Sequence, residues 1–219
     1  MIVTVVNQKG GVGKTTTSVN LAYVLSKTHN VALLDLDPEG GSTTSLGIRR
    51  SKAELKLGER SVNVQGIELF YAHVGLLNLE LSGEVESIVQ GIKELSKSFD
   101  YLVIDTPPNL GTLSLSAMMA GDKIVIPVTP HPLTLEVTKN LGERLASLKK
   151  QAIAFTNMST KPVQVEYDTV KSTEIFVPPS KLFTEASRLG VPAVKYEEVR
   201  TKKPRIAPAF EALAKVVVS

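Results

Sequence analysis

Residues 2–16 read Ile2-Val3-Thr4-Val5-Val6-Asn7-Gln8-Lys9-Gly10-Gly11-Val12-Gly13-Lys14-Thr15-Thr16: a β-branched apolar run, a glycine-rich turn, and a Gly-Lys-Thr that opens an amphipathic stretch. Strand, turn and helix in this order are the context a phosphate-binding loop requires. Glycines let backbone N–H groups turn inward and approach phosphate oxygens with no Cβ in the way, and the helix N-terminus adds a partial positive charge. Lys14 is placed to bridge the β- and γ-phosphates, and the Thr15 hydroxyl to ligate Mg²⁺. The alternative is a glycine-rich turn with no ligand. It would have to explain why strand, glycines, Gly-Lys-Thr and helix coincide.

Outward from this loop, short apolar runs alternate with amphipathic stretches. Strands are expected at 2–6, 31–35, 68–72, 101–105, 123–128, 151–156 and 173–177, and helices at about 15–28, 84–98, 112–120, 133–149, 180–189 and 206–218. In the first helix Val19, Ala22 and Leu25 share a face. The alternation predicts an α/β fold in three layers: a mostly parallel, twisted sheet with helices on both faces. A single domain over 1–219 is expected. Two segments resist assignment, the charged 47–66 and the aperiodic 157–172, and both are expected to be surface excursions.

In open parallel sheets ligands sit beyond the carboxyl ends of the strands, and three acidic residues fall at two such ends. Asp105 closes the run Tyr101-Leu102-Val103-Ile104, so its carboxylate is held rigidly near the expected Mg²⁺. Asp35 and Asp37 close the run from Val31. A helix or turn cap is the alternative reading of Asp105.

Composition excludes several chemistries. The 219 residues contain no cysteine, which removes disulfides, thiolate metal sites, Fe–S clusters and cysteine nucleophiles together. The amino terminus turns polar within a few residues and matches neither a signal peptide nor a membrane span. A cytoplasmic protein is expected. The net charge of +3 and pI near 9.0 hint at an anionic partner, though a solvated lysine-rich surface accounts for them as well.

The loop departs from the common phosphate-binding pattern in that Gln8 replaces the first glycine and Lys9 follows it. Lys-Gly-Gly-Val-Gly-Lys-Thr resembles the deviant Walker A motif of the ParA/MinD family of P-loop ATPases. The resemblance implies ATP/ADP and Mg²⁺ as cofactors, and it runs from about residue 1 to about 218. It implies nucleotide contacts along Lys9, Gly10, Gly11, Val12, Gly13, Lys14, Thr15 and Thr16, with Lys9 reaching across a dimer to the partner's phosphates. Asp35-Leu36-Asp37-Pro38-Glu39-Gly40-Gly41 is similar to the family's switch I, which makes Asp37 the residue that orients the attacking water, alongside Lys9 and Lys14 in catalysis. Asp35 would support the metal shell or the loop, and Thr15 and Asp105 the metal. Asp105 to Gly111 looks like switch II. Asn157, Pro178 and Pro179 fall where the family reads adenine, although Asn157 serves equally well as a turn residue.

The strongest match is to the ParA-type DNA-partition branch, small archaeal SegA forms included. That branch implies a homodimer in the ATP state, nonspecific double-stranded DNA as a ligand, a site-specific centromere-binding partner of ParB or SegB type, and nucleoid association without a membrane. Contributors to the DNA surface would be Lys181, Arg188, Arg200, Lys202, Lys203 and Arg205, with Arg49 and Arg50 as alternatives; each is also ordinary surface charge. The tail from Arg205 has apolar residues suited to core packing, unlike a MinD-type membrane helix. A spatial regulator or assembly factor with another cargo is the second reading, and a small-molecule kinase the third. The 157–172 segment is shorter than usual for the branch, so surfaces carried there do not transfer.

Overall fold

The computed structural model describes residues 1–165 and 167–219. In chain order the elements are β1 (Ile2–Val5), α1 (Lys14–Ser26), β2 (Val31–Asp35), α2 (Gly41–Ser45), β3 (Val62–Val64), β4 (Ile67–Phe70), α3 (Gly75–Ser82), α4 (Val85–Ser96), β5 (Tyr101–Asp105), α5 (Thr112–Ala120), β6 (Lys123–Val128), α6 (Pro132–Ser147), β7 (Ala152–Asn157), β8 (Val170–Val177), α7 (Leu182–Arg188), α8 (Ala193–Arg200) and α9 (Ala207–Val218). The described strands form one sheet in the order β3-β4-β2-β5-β1-β6-β7-β8. Only β3 with β4 is antiparallel; the other pairs are parallel.

The sheet is buried on both faces because its central strands are apolar at nearly every position, and alternation decides which face each side chain serves. Val3, Val5, Leu33, Val103 and Val125 pack with α1, α8 and α9 through Val19, Leu25, Val194, Phe210 and Leu213. Their neighbours Ile2, Ala32, Leu34, Leu102 and Ile104 pack on the opposite face with Ile88, Ile92, Leu113 and Ala117 of α4 and α5. On that same face Ile124 and Ile126 meet Leu141 and Leu145 of α6. Each fully buried Leu or Ile contributes roughly 1.5–3 kcal/mol, so this pattern dominates the stability. The expected α/β layering holds.

Four elements were not expected. The segment 47–66 contains β3, which pairs Val62 with Leu69 and Val64 with Ile67. It is therefore partly sheet, and Leu57 packs on the core. α2 is built from Gly-Ser-Thr-Thr-Ser, residues of weak helix preference. In α3 the leucines follow no single face, and Leu77 and Leu81 are exposed. The short, charged α8 carries Glu197, only 2% exposed, whose carboxylate accepts the N–H groups of Arg205 (2.9 Å), Ile206 (2.8 Å) and Ala207 (2.9 Å). That carboxylate caps α9 and fixes the basic loop before it. In the second unassigned segment, β8 begins at Val170, three residues earlier than expected.

The parallel order places β1 between β5 and β6, where the chain's path across the sheet reverses. A crevice opens at the carboxyl ends of strands at such a reversal. The loop 6–13 leaves β1 there, beside the ends of β2 and β5, where Asp35 and Asp105 are register partners.

Candidate nucleotide and metal site

The loop 6–13 needs its glycines. Gly11 and Gly13 have φ of 76° and 93°, the left-handed region, and a Cβ on Gly13 would lie 2.1 Å from the Asn157 amide nitrogen. That amide nitrogen instead donates to the Val12 carbonyl at 2.8 Å, tying the end of β7 to the loop. At the other end the Asn7 side chain accepts the Lys9 N–H (3.0 Å) and donates to the Pro127 carbonyl (2.9 Å). The loop is thus strapped to β6 and β7 before any phosphate arrives.

A cleft of about 340 Å³ lies against it, lined by Gly10, Gly11, Gly13, Lys14, Thr15, Thr16, Asp37, Pro108 and Met158. Lys14 is 7% exposed and its ammonium donates to the Lys9 carbonyl at 3.3 Å. The Lys9 ammonium takes a different direction, onto the Thr134 hydroxyl of α6 at 3.2 Å. The two lysines of the motif are therefore divided: one inside the cleft, the other outside it.

Asp105 is fully buried and accepts hydrogen bonds from Ser18 (3.1 Å) and Ser42 (2.7 Å). Thr15 lines the cleft, and the lone pairs of its hydroxyl can serve a cation. Burial pushes the Asp105 carboxyl above the usual carboxylate range, with the hydroxyls of Ser42, Thr15 and Ser18 drawing it back. A divalent cation would favour its ionised form. Among the described residues no group of three His, Cys, Asp or Glu side chains surrounds a point. Such a set fits Mg²⁺, which keeps waters and shares phosphate oxygens with one hydroxyl and one carboxylate, and would not fit a metal that needs a protein cage.

Asp35 serves the loop. One oxygen accepts the Asp37 N–H (3.2 Å) and the other accepts both the N–H and the hydroxyl of Thr43 (2.7 Å each). Burial, then the charge of Asp105, raises its carboxyl. Of the two roles open to Asp35, its contacts match the loop: it anchors α2, and Thr43 passes the link on by accepting the Ala72 N–H at 2.8 Å. Asp37 reaches the cleft, its carboxylate held by the Glu39 N–H at 2.9 Å.

Several contributors escaped the sequence reading. Ser18, Ser42 and Thr43 are small hydroxyl residues whose partners lie far away in sequence. Met158, with φ of 54°, lines the cleft without any motif, and Pro108 joins it from the Asp105–Gly111 loop. Arg50, considered only as a surface cation, donates to the Pro38 carbonyl at 2.5 Å and so steadies the loop carrying Asp37. Glu80 of α3 accepts the Leu113 N–H at 2.8 Å, capping α5 just after the Asp105–Gly111 loop.

Of the expected adenine contacts, Asn157 stands against the loop, whereas Pro178 lines a separate groove of about 700 Å³ between β8 and α9, with Phe176 and Pro208. Pro179 is exposed. Lys181, Arg188, Lys202, Lys203 and Arg205 are exposed around α7 and the 201–205 loop, as are Arg49 and Arg50. Arg200 is paired: its guanidinium meets Glu185 at 2.8 Å and lies over the Tyr196 ring.

Burial lowers the Lys14 ammonium below the ordinary lysine value, against the pull of Asp105 and Asp37. Between the lowered value and the ordinary one the unfolded chain holds more protons, so the ligand-free protein gains stability as pH rises. Phosphates demand the ammonium, so ATP affinity falls over the same interval. As pH rises toward the ordinary lysine value of 10.5, melting temperature and ATP affinity should move in opposite directions, and a Lys14→Met protein should lose the contribution to both slopes.

Residues 1–159 match the family described as an AAA domain. The chain is 30% identical to the sporulation initiation inhibitor protein Soj of Bacillus subtilis, over 100% of this chain and 98% of that protein. It is also 30% identical to the chromosome partitioning protein ParA of Myxococcus xanthus, over 90% of this chain and 81% of that one. Among solved structures, Cyanothece apo McdA superposes with a TM-score of 0.82 at 18% identity, covering 100% of this chain and 99% of that one. The septum site-determining protein MinD of Pyrococcus horikoshii, solved with Mg-ADP, gives 0.79 at 23% identity, covering 99% and 95%. Motif, fold and full-length relatives agree, and the chain belongs to the ParA/MinD family of P-loop ATPases.

Proposed function

We propose that this ATPase, acting as one domain over 1–219, partitions chromosomal or plasmid DNA. Two copies close face to face on MgATP, with Lys14 holding each copy's own phosphates, Thr15 and Asp105 its Mg²⁺, and Lys9 reaching the partner's nucleotide. Asp37 orients the attacking water, and a site-specific centromere-binding protein accelerates the slow hydrolysis. The observation that supports this reading is the division of the lysines: the Lys9 ammonium lies outside its own cleft, which leaves it for another nucleotide once its contact with Thr134 is broken. An extra cation on the transferring phosphoryl group acts as an arginine finger does.

Dimer formation would join two modest basic edges, each with Lys181, Arg188, Lys202, Lys203 and Arg205, into one strip for nonspecific duplex DNA on the nucleoid. Arg200 contributes less, since Glu185 holds it. Phe210, Leu213 and Val217 commit one face of α9 to the core, and among the described residues no helix is long and apolar enough to cross a membrane. The likeness to McdA and MinD supports a second reading, the same switch with a different cargo.

The test uses Asp37→Ala, expected to hold ATP unhydrolysed. Binding to a random duplex is measured with MgATP, MgADP and no nucleotide at two salt concentrations. ATP-specific binding that weakens with salt, by about 0.9 log units per log unit for each phosphate contacted, supports partition. An ATP-dependent dimer that ignores DNA would move a protein or membrane cargo to the front. A Lys9→Ala protein that dimerises and turns over normally would refute the reading altogether.

A further inference from the structure

Lys9 does not simply extend into solvent. Its side chain is half-buried, and its ammonium donates to the hydroxyl of Thr134, a residue with no exposed surface in the first turn of α6. None of the ion pairs among the described residues includes Lys9. Thr134 is itself fixed: its hydroxyl pairs with that of Thr129 at 2.8 Å, its N–H donates to the His131 carbonyl at 2.8 Å, and its own carbonyl accepts from Thr138 at 2.7 Å. With Thr129 on one side, the Thr134 hydroxyl keeps a lone pair for Lys9.

The electrostatics make this a resting place. An ammonium is favoured near a helix C-terminus, yet here it lies at the N-terminal turn of α6, where the partial charge is positive. One neutral acceptor opposes that repulsion. The contact therefore holds Lys9 in its own subunit, weakly enough that the several negative charges of a partner's triphosphate can draw it away.

We propose that Thr134 is a positioning residue that retains Lys9 in the free subunit and so sets the concentration at which ATP drives dimerisation. The inference rests on the trans role of Lys9 given above. Each closing subunit must break its own Lys9–Thr134 contact before Lys9 can serve the other, which weakens dimerisation by the strength of that contact in each subunit. A hydrogen bond exchanged against water corresponds to a factor of roughly three to ten. Threonine to valine removes the hydroxyl at nearly constant shape, and serine keeps it.

The experiment measures ATP-dependent dimerisation by sedimentation in four full-length proteins: Asp37→Ala, and Asp37→Ala combined with Thr134→Val, Thr134→Ser or Lys9→Ala. Lys9 is also footprinted with an amine-reactive reagent, without nucleotide. Thr134→Val should lower the protein concentration at half-dimerisation by roughly ten- to a hundredfold, one factor of three to ten for each subunit, and raise Lys9 labelling, while Thr134→Ser follows the parent. Unchanged or weaker dimerisation in Thr134→Val overturns the proposal, as does unchanged labelling. If Thr134→Val fails to fold, Thr134→Ala replaces it under the same criteria. Lys9→Ala dimerising like the parent would sink the underlying trans reading, an outcome separate from failure of Thr134 alone.

Discussion

Lys14→Ala is expected to bind ATP at least about a hundredfold more weakly than the wild type, a loss of roughly 3 kcal/mol. The side chain enters the cleft buried, and among the described residues its only hydrogen-bond acceptor is the Lys9 carbonyl. Phosphate oxygens would replace that neutral acceptor by charged ones, and charge-assisted bonds are about twice as strong as neutral ones. The alanine protein should nevertheless fold. What it loses without ligand is one long hydrogen bond, and it is also relieved of the desolvation of a buried ammonium. Titration with a fluorescent ATP analogue, beside a thermal melt, separates the two effects. Affinity within tenfold of wild type, in a folded protein, would mean that the phosphates bind elsewhere.

Glu197→Ala is expected to produce a large loss of stability far from the phosphate cleft. It removes one carboxylate and leaves the N–H groups of Arg205, Ile206 and Ala207 without that acceptor at the start of α9. Buried donors to a charged group are costly to orphan, and a total of about 3–5 kcal/mol follows. For a chain of this size that lowers the melting temperature by about 10 °C. Glu197→Gln, which keeps one oxygen, should fall between the two. The same change loosens the loop carrying Lys202, Lys203 and Arg205, so under the partition reading ATP-dependent DNA binding should suffer in the glutamine variant even where it is fully folded. A melting temperature within about 2 °C of wild type for the alanine variant would show that water replaces the carboxylate freely.

Local pattern made much of this protein legible. The strand–glycine–helix signature located the cleft, and apolar runs located β1, β2, β5 and β6 to within a residue. α1 and α5 were equally plain because their periodicity or their bounding glycines lie within a single window. What stayed hidden depends on partners distant in sequence. α2 forms from Gly, Ser and Thr because Asp35 captures Thr43, and nothing in residues 41–45 announces that. The dual nature of Asp35, left open between metal and loop, resolves toward the loop only when both its oxygens are followed. β3 is three residues on a sheet edge, too short to show alternation. The direction of the Lys9 side chain depends on Thr134, in an element beyond the far side of β1's neighbour.

The position of β1 has a consequence for biosynthesis. Its partners are Leu102 to Asp105 on one side and Lys123 to Val125 on the other. A strand synthesised before both of its partners must wait for them, with Ile2–Val5 exposed meanwhile. Long-range parallel pairing closes large loops and folds slowly, and unpaired strands of this kind are the ones that aggregate or recruit chaperones. Nascent chains halted before residue 128 should therefore be protease-sensitive through their first strands, while chains carrying β6 clear of the exit tunnel should acquire protection there in one step.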